Sequence, residues 1–281
     1  MDPTVKTELQ TNGLFKEKED TYWIARNITV VWFSLDGPPE INDKNRPDKD
    51  GVGRTSEIES NMRVVAESTI VGVRATITEN TIDLQDELVQ YYYDMGVREM
   101  AFNPVIKPIE RGNSERCPVT KVEVIDFARG FIKAYHLARR VGIRLLSSLT
   151  FNFDERTEIA CSSCVPMPQL NPDGSVSSCD MALYWDTKKE LQEFIYGMWS
   201  KPKNRILYLP ERIEKLNRRR LGNLPKCDSC EVKVFCAGGC AGRVAFQTGS
   251  MYDIIPEYCV ATKYLARHMS LGEGVCEYTH P

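Results

Sequence analysis

The sequence has little of three things that mark common protein classes: histidine, long apolar runs and net charge. Only three of its 281 residues are histidines, and they show no metal-binding spacing. No apolar run is long enough to span a bilayer, and the N-terminal residues lack the apolar core of a secretory signal. A net charge of −3 gives no bias toward nucleic acid or an anionic membrane. We therefore expect a cytoplasmic protein that binds neither nucleic acid nor membrane.

Cysteine, in contrast, is abundant, with ten residues in a chain expected to lie in a reducing compartment. Structural disulfides are rare there, so ligation of a metal or cluster is the leading interpretation. Cys117 and Cys276 stand alone and are interpreted as isolated thiols. The other eight are concentrated in the second half of the chain, at Cys161, Cys164, Cys179, Cys227, Cys230, Cys236, Cys240 and Cys259.

Eight thiols make two sites of four, and both a tetrahedral zinc and a cubane iron–sulfur cluster take four thiolates. The spacing Cys-x2-Cys-x5-Cys-x3-Cys over 227–240 is tighter than the separated knuckles of a zinc ribbon. Gly238 and Gly239 would let backbone N–H groups approach the sulfides of a cluster. By chemistry alone, zinc and iron–sulfur both stay open.

The first half of the chain alternates predicted strands with predicted helices. The strands are 5–9, 28–34, 70–77, 98–105 and 143–148, and the helices are 56–67, 82–96 and 122–142. This order predicts a parallel α/β sheet or barrel.

Beyond the midpoint the alternation of strands and helices ends and cysteines appear. We therefore predict two domains, 1–155 and 156–281. The second has a predicted hairpin over 169–179 and helices over 188–199, over 210–222 and after Cys259. Within it, the arginine run 218–220 is interpreted as a solvated face.

The cysteine order resembles the SPASM domain of radical SAM enzymes. The matching pattern is Cys161-x12-Gly174-x4-Cys179, then Cys227-x2-Cys230-x5-Cys236-x3-Cys240, then Cys259. The resemblance implies two auxiliary [4Fe-4S] clusters. One would be bound by Cys161, Cys179 and Cys240, and the other by Cys227, Cys230, Cys236 and Cys259. We favour Cys164 as the fourth ligand of the first cluster; the alternatives are an open iron that could bind a substrate group, or a bystander thiol at Cys164.

The first half resembles part of the radical SAM barrel, strands three to six. The matching segments are LQTNGLF (9–15), SLDGPPEINDKNRP (34–47), VRATIT (73–78) and FNPV (102–105). The resemblance implies that Ser34 and Asp36 lie near the methionyl and ribose groups of S-adenosylmethionine, and that Arg74 binds its carboxylate. Without the resemblance, the same residues would be a strand-end turn and an exposed arginine.

The catalytic Cys-x3-Cys-x2-Cys of that family is absent, since no cysteine precedes Cys117. The Gly-Gly-Glu-Pro motif of the second strand is absent as well. We expect a barrel without its first two strands, which binds S-adenosylmethionine only when an N-terminal segment completes it. The edge at 5–9 should recruit that segment or drive self-association.

The resemblance implies modification of a peptide or protein by 5′-deoxyadenosyl radical chemistry, with the clusters accepting an electron or binding substrate. Asp180 matches an acidic residue assigned as a base in sulfatase-maturing relatives; otherwise it is an ordinary turn aspartate. Two other functions stay open. One is a non-catalytic iron–sulfur subunit for electron transfer or substrate recruitment, and the other is a zinc-stabilised structural module.

Overall fold

The structure is a computed structural model that describes residues 6–106 and 122–272. The chain divides into two compact units, Met1–Ser147 and Ser148–Pro281. The boundary predicted at 155/156 lies further along the chain, in the turn-rich segment that follows the last strand of the first unit. The isolated Cys117 and Cys276 fall outside the described residues.

The first unit alternates strands with helices in one parallel sheet. Its elements are β1 (Glu8–Thr11), α1 (Lys18–Asn27), β2 (Val30–Ser34), α2 (Pro39–Asn45), α3 (Thr55–Ala66), β3 (Ile70–Ile77), α4 (Gln85–Asp94), β4 (Glu99–Pro104), α5 (Val124–Arg140) and β5 (Arg144–Leu146). The sheet order is β1-β2-β3-β4-β5, parallel at every pair. Sequential order with helical crossovers is the arrangement of a (β/α) barrel wall, so the predicted α/β fold class is confirmed.

Burial on both faces of the sheet explains the apolar strand sequences. The consecutive residues Val31, Trp32 and Phe33 of β2 point alternately to the two faces of the sheet, and all three are buried, as parallel strands covered by helices require. Tyr92 of α4 is also fully buried, and its hydroxyl donates a 2.7 Å hydrogen bond to the carbonyl of Leu35. This bond anchors the backbone just after β2, where Asp36 follows.

The second unit begins with a small antiparallel sheet and ends in short helices. Its elements are β6 (Gln169–Leu170), β7 (Ser175–Ser177), β8 (Ile195–Ser200), β9 (Arg205–Tyr208), α6 (Pro210–Arg218), α7 (Lys233–Cys236), α8 (Ala241–Thr248) and α9 (Pro256–His268). Short 3-10 segments cover Ser162–Cys164, Lys189–Phe194, Leu221–Asn223 and Pro225–Cys227. The sheet order is β6-β7-β8-β9.

The hairpin predicted over 169–179 is confirmed, and a buried asparagine holds it closed. The side-chain amide of Asn171 donates to the hydroxyls of Ser175 and Ser177 at 3.0 and 3.2 Å, and to the carbonyl of Ala182 at 3.0 Å. Gly174 turns the chain with a φ of 82°. The hairpin therefore fixes the position of the chain just before Cys179, which lies two residues after β7.

The helix predicted over 188–199 is wrong. The chain forms a 3-10 segment, Lys189–Phe194, and then strand β8. Ile195 and Tyr196 at the start of β8 are buried, and Gly197 pairs with both Val176 and Tyr208. Pairing on both sides overrides the helical spacing of the apolar residues, because strand preference depends on cross-strand neighbours.

Across 6–106 and 122–272, no helix has the length and apolar character needed to cross a membrane.

Candidate functional site

The first group of thiols comprises Cys161, Cys164, Cys179 and Cys240. The Cys161 thiol donates a hydrogen bond to Cys164, which raises the pKa of Cys161 and lowers that of Cys164. Ser163, between them, has its hydroxyl 2.8 Å from the Cys161 sulfur. Burial raises the pKa of Cys179 to about 12, and the nearby Cys240 and Cys161 add to the rise. Cys161 therefore interacts electrostatically with Cys164 and Cys179, and Cys179 interacts with Cys240.

The group lies at the start of α8. Cys240 is the N-cap residue of that helix. A Cβ placed on Gly242, in the first turn, would come within 2.7 Å of the Cys179 sulfur. The first N–H groups of a helix have no partner within it, and the helix dipole favours negative charge there. The location therefore suits an anionic centre.

The second group comprises Cys227, Cys230, Cys236 and Cys259. Burial raises the pKa of Cys236 to about 11, and the thiols of Cys259, Cys227 and Cys230 add to the rise. The pKa of Cys259 is raised by burial and then by Cys227 and Cys230. The amide of Cys230 donates to the carbonyl of Cys227 at 2.9 Å, in a tight turn. Each of these four thiols is therefore within electrostatic range of the others.

A three-residue crossover joins the groups. Cys236 ends α7 in the second group, and Cys240 caps α8 in the first. Between them Ala237, Gly238 and Gly239 all have positive φ, at 45°, 79° and 70°. The sequence Cys-Ala-Gly-Gly-Cys thus passes from one group to the other. The two groups are those that the predicted interleaved ligation requires, while ligation itself stays a prediction.

All eight of these cysteines are free thiols. Within the described ranges, no cluster of three or more His, Cys, Asp or Glu side chains is arranged to hold a metal ion. Asp180 follows Cys179 directly and is exposed, and its charge contributes to the raised pKa of the Cys179 thiol.

Of the predicted cofactor residues of the first unit, Ser34 ends β2, Asp36 lies two residues beyond it, and Arg74 lies within β3. Ser34 and Arg74 are register partners on these parallel strands, so their side chains share one face of the sheet. The Arg74 guanidinium lies 5.8 Å from the Trp32 ring centre. Its Nε is buried and has no hydrogen-bond partner among the described atoms. Arg74 is half-buried, so the exposed arginine expected without the resemblance is not what the structure shows.

Asp36 is buried, and both of its carboxylate oxygens are engaged. They accept hydrogen bonds from Arg46 Nε and Nη2 at 2.9 and 3.0 Å, and from the amide of Thr76 at 2.8 Å. The amide of Asp36 donates to Asn42 at 2.9 Å. Asp36 therefore fixes Arg46 and the end of β3. Sequence reasoning missed Arg46, although it lies in the quoted segment 34–47.

The interpretation of the arginine run as a solvated face is wrong for its middle residue. Arg218 and Arg220 are exposed, whereas Arg219 is fully buried. Sequence reasoning also missed Gly242; its signal was the glycine two residues after the last cysteine of the quartet.

Comparisons with known proteins identify the fold. No family model matches the chain. The cysteine-type anaerobic sulfatase-maturating enzyme of Clostridium perfringens (strain 13 / Type A) is 20% identical over 245 residues, covering 84% of this chain and 64% of that enzyme. The solved structure of native anSMEcpe with bound AdoMet superposes with a TM-score of 0.72 at 18% identity, over 95% of this chain and 74% of the other.

The chain has the fold of the anaerobic sulfatase-maturating enzymes. It resembles this radical SAM group with a SPASM domain, as the sequence motifs predict, and it spans about 64% of the length of the curated relative. Streptococcus suis SuiB bound to precursor peptide SuiA shares the fold at a TM-score of 0.59 and 15% identity, over 91% of this chain and 59% of SuiB. Another anSMEcpe structure holds both AdoMet and the Kp18Cys peptide.

Proposed function

We infer that this chain is part of a radical SAM enzyme that modifies a peptide or protein, and that its cysteines hold two auxiliary [4Fe-4S] clusters. One observation carries the proposal. Within each of the two proposed sets the thiols interact electrostatically, and the crossover 237–239 joins the sets. Four thiolates are the ligand set of a cubane cluster.

The donor chemistry fits such clusters. All of the proposed ligands are thiols, which favour soft metals and iron–sulfur clusters over hard cations. Burial raises the pKa of Cys179 and Cys236, so both thiols are protonated before loading and release their protons to the solvent when they ligate. Bound clusters would supply one-electron redox chemistry. Eight free thiols in one compact unit also support a reducing, cytoplasmic location.

Substitution of one cysteine from each group tests the proposal. The chain is reconstituted anaerobically with iron and sulfide, and iron per chain and absorbance near 400 nm are measured. Cys179→Ser and Cys236→Ser should each lose about four irons, because each group holds one cubane. The double variant should lose nearly all iron, and Cys117→Ser, outside both groups, should retain the wild-type content. Equal iron in all four proteins would contradict the assignment.

The site of the first unit fits S-adenosylmethionine. Arg74 has a buried Nε with no acceptor among the residues that the structure describes, and the carboxylate of the methionyl group would provide one. Ser34, its register partner, would bind beside that group. Asp36 would act beside the ribose through the Arg46 side chain that it holds. When bound, S-adenosylmethionine would supply the 5′-deoxyadenosyl radical.

This site would be completed by an N-terminal segment carrying Cys-x3-Cys-x2-Cys. Within the described sheet, β1 pairs only with β2, and alternate residues of β1 are exposed. An open strand edge offers unpaired N–H and C=O groups to a further strand. The completing segment would pair there.

A peptide or protein is the proposed substrate, because two fold neighbours hold peptides. Asp180, an exposed carboxylate directly after Cys179, would accept a proton from the bound substrate. If Asp180 is instead an ordinary turn aspartate, Asp180→Asn should keep full activity in the completed enzyme.

A second candidate function is a non-catalytic iron–sulfur subunit for electron transfer or substrate recruitment. The observation that favours it is the lack of the Cys-x3-Cys-x2-Cys motif in these 281 residues. A non-catalytic subunit would hold the same two clusters, but it would not cleave S-adenosylmethionine when a segment bearing that motif is supplied. If reconstitution yields zinc and no sulfide, the structural zinc module replaces both functions.

A further inference from the structure

Arg219 is a fully buried cation beside the cysteine groups, at the point where α6 has just ended. Its guanidinium donates three hydrogen bonds, all to backbone carbonyls. Nε donates to the carbonyl of Met251 at 2.9 Å, Nη1 to that of Ala237 at 2.9 Å, and Nη2 to that of Gly238 at 3.0 Å. The side chain is therefore held in one position.

Two of those carbonyls belong to the crossover between the thiol groups. Ala237 and Gly238 have left-handed backbone conformations, and Arg219 ties down the carbonyl of each. A Cβ on Gly238 would lie 3.1 Å from Arg219 Nη2 and 2.5 Å from Leu224, so the guanidinium packs directly against this backbone. Arg219 thus fixes the path that links Cys236 to Cys240.

The hydrogen bonds satisfy donors but leave the charge of Arg219 without a formal counter-charge. No carboxylate in the described ranges forms an ion pair with it, and a buried, unpaired cation is costly. The two crossover carbonyls that Arg219 binds lie between Cys236 of one group and Cys240 of the other, so its charge is held close in sequence to a thiol of each set.

We propose that Arg219 is a positioning residue that fixes the crossover between the two cysteine groups and supplies the buried positive charge that balances their thiolates. The inference rests on the proposed iron–sulfur function. A thiolate-ligated cluster carries net negative charge, and a fixed cation nearby stabilises its reduced, more negative form. Loss of the cation should therefore make the reduction potential more negative.

Three variants of the full chain test the assignment after anaerobic reconstitution. Arg219→Met removes the charge and the three donors, while Arg219→Lys keeps the charge with fewer fixed donors. Arg212→Met is the matched control, because Arg212 also donates to two backbone carbonyls, those of Gln192 and Ile195, and neither of them lies in the crossover. Iron per chain, visible absorbance and redox titration are measured.

Arg219→Met should raise the oxidised-to-reduced ratio at the wild-type midpoint potential at least tenfold, which is about 59 mV for a one-electron couple. Arg219→Lys should show little of that shift, because lysine keeps the charge. In Arg212→Met the oxidised-to-reduced ratio at the same potential should stay within threefold of the wild-type ratio. If Arg219→Met takes up no iron, the Arg219→Lys variant provides the test. Iron content and potential near those of wild type would support the proposed role of Arg219, and a loss of iron as complete as in Arg219→Met would overturn it.

The failure of this inference is distinguishable from the failure of the proposed function. If the wild-type chain takes up no iron and sulfide, the clusters themselves are refuted. If wild type and Arg219→Met hold the same iron at the same potential, only the role of Arg219 is overturned. A shift of equal size in Arg219→Lys and Arg219→Met would also overturn the charge role, since lysine keeps the cation.

Discussion

At Gly242, the lack of a side chain is what lets the Cys179 sulfur approach the first turn of α8. An added Cβ would lie 2.7 Å from that sulfur and 3.1 Å from the sulfur of Met181. Similar single-atom constraints act at Arg219 and at Asp36, where every charged group has specific backbone or side-chain partners. Geometry at the residue scale therefore determines whether the thiols and the charged groups can act together.

Gly242→Ala should displace Cys179 and lower iron content after reconstitution by about half, because one of two four-iron sites is disturbed. Overpacking of this kind costs about 1–3 kcal/mol of stability. The control is Gly222→Ala, at a glycine whose Cβ would meet nothing within 4 Å. Wild-type iron content in Gly242→Ala would contradict the placement of Cys179 beside α8.

The metal-free chain should lose stability as the pH rises from about 9 toward about 11. Burial raises the pKa of Cys236 from 9.0 to about 11, so above pH 9 the unfolded state loses the thiol proton before the folded state does. The loss from Cys236 should reach about 1 kcal/mol by pH 10. Denaturant unfolding under reductant at several pH values measures it.

Cys236→Ser should reduce that pH dependence by the contribution of this thiol, because serine does not titrate in this range, while Cys179 keeps its own contribution. Identical slopes in wild type and Cys236→Ser would show that the thiol is not buried as the structure has it.

At the scale of elements, the crossover 237–239 decides whether the two groups are coupled. Gly238 and Gly239 are a matched pair for substitution, since both have positive φ. An alanine at either position would be strained by about 1–2 kcal/mol in this left-handed conformation. Only at Gly238 would the new Cβ collide, with Leu224 and with Arg219; at Gly239 it meets nothing within 4 Å.

Gly238→Ala should therefore be less stable than Gly239→Ala, by about 1–3 kcal/mol of overpacking, and should lose iron from both groups. Chemical denaturation and iron analysis of the two variants measure the difference. Equal stability and equal iron content would mean that Arg219 and Leu224 do not pack against the crossover.

The elements that sequence reasoning predicted correctly are those with strong local signals. β3 is rich in apolar and β-branched residues and is mostly buried, and α5 repeats apolar residues at helical spacing. β8 was predicted as a helix, because its pairing with β7 and β9 is not visible in local spacing. Cysteine spacing pointed to the thiol groups.

The residues that sequence reasoning missed act through contacts distant in sequence. Arg219 reaches Met251, which is 32 residues away, and Arg46 reaches Thr76, which is 30 away. Nothing in the run of arginines distinguishes the middle one, since burial is set by elements that follow it along the chain. Such partners become visible only when the fold brings them together.

At the scale of the whole molecule, the sheet of the first unit ends at β1, which has one strand neighbour within the described residues. A parallel sheet with an open edge tends to pair with further strands. The chain as given should therefore self-associate, and a separately supplied N-terminal segment carrying two further barrel strands should reduce that association and raise the stability of the chain.

Light scattering over a range of protein concentrations, with and without that segment, tests this prediction. A mass that rises with concentration and falls when the segment is added is expected. A monomer at every concentration, with no binding of the segment, would count against an open edge at β1.

The central claim, that the two cysteine groups hold iron–sulfur cubanes, is tested most directly by elemental analysis after anaerobic reconstitution. The account predicts about eight irons and about eight inorganic sulfides per chain, because each cubane contains four of each. A folded, colourless chain that carries one or two zinc ions and no sulfide would contradict it.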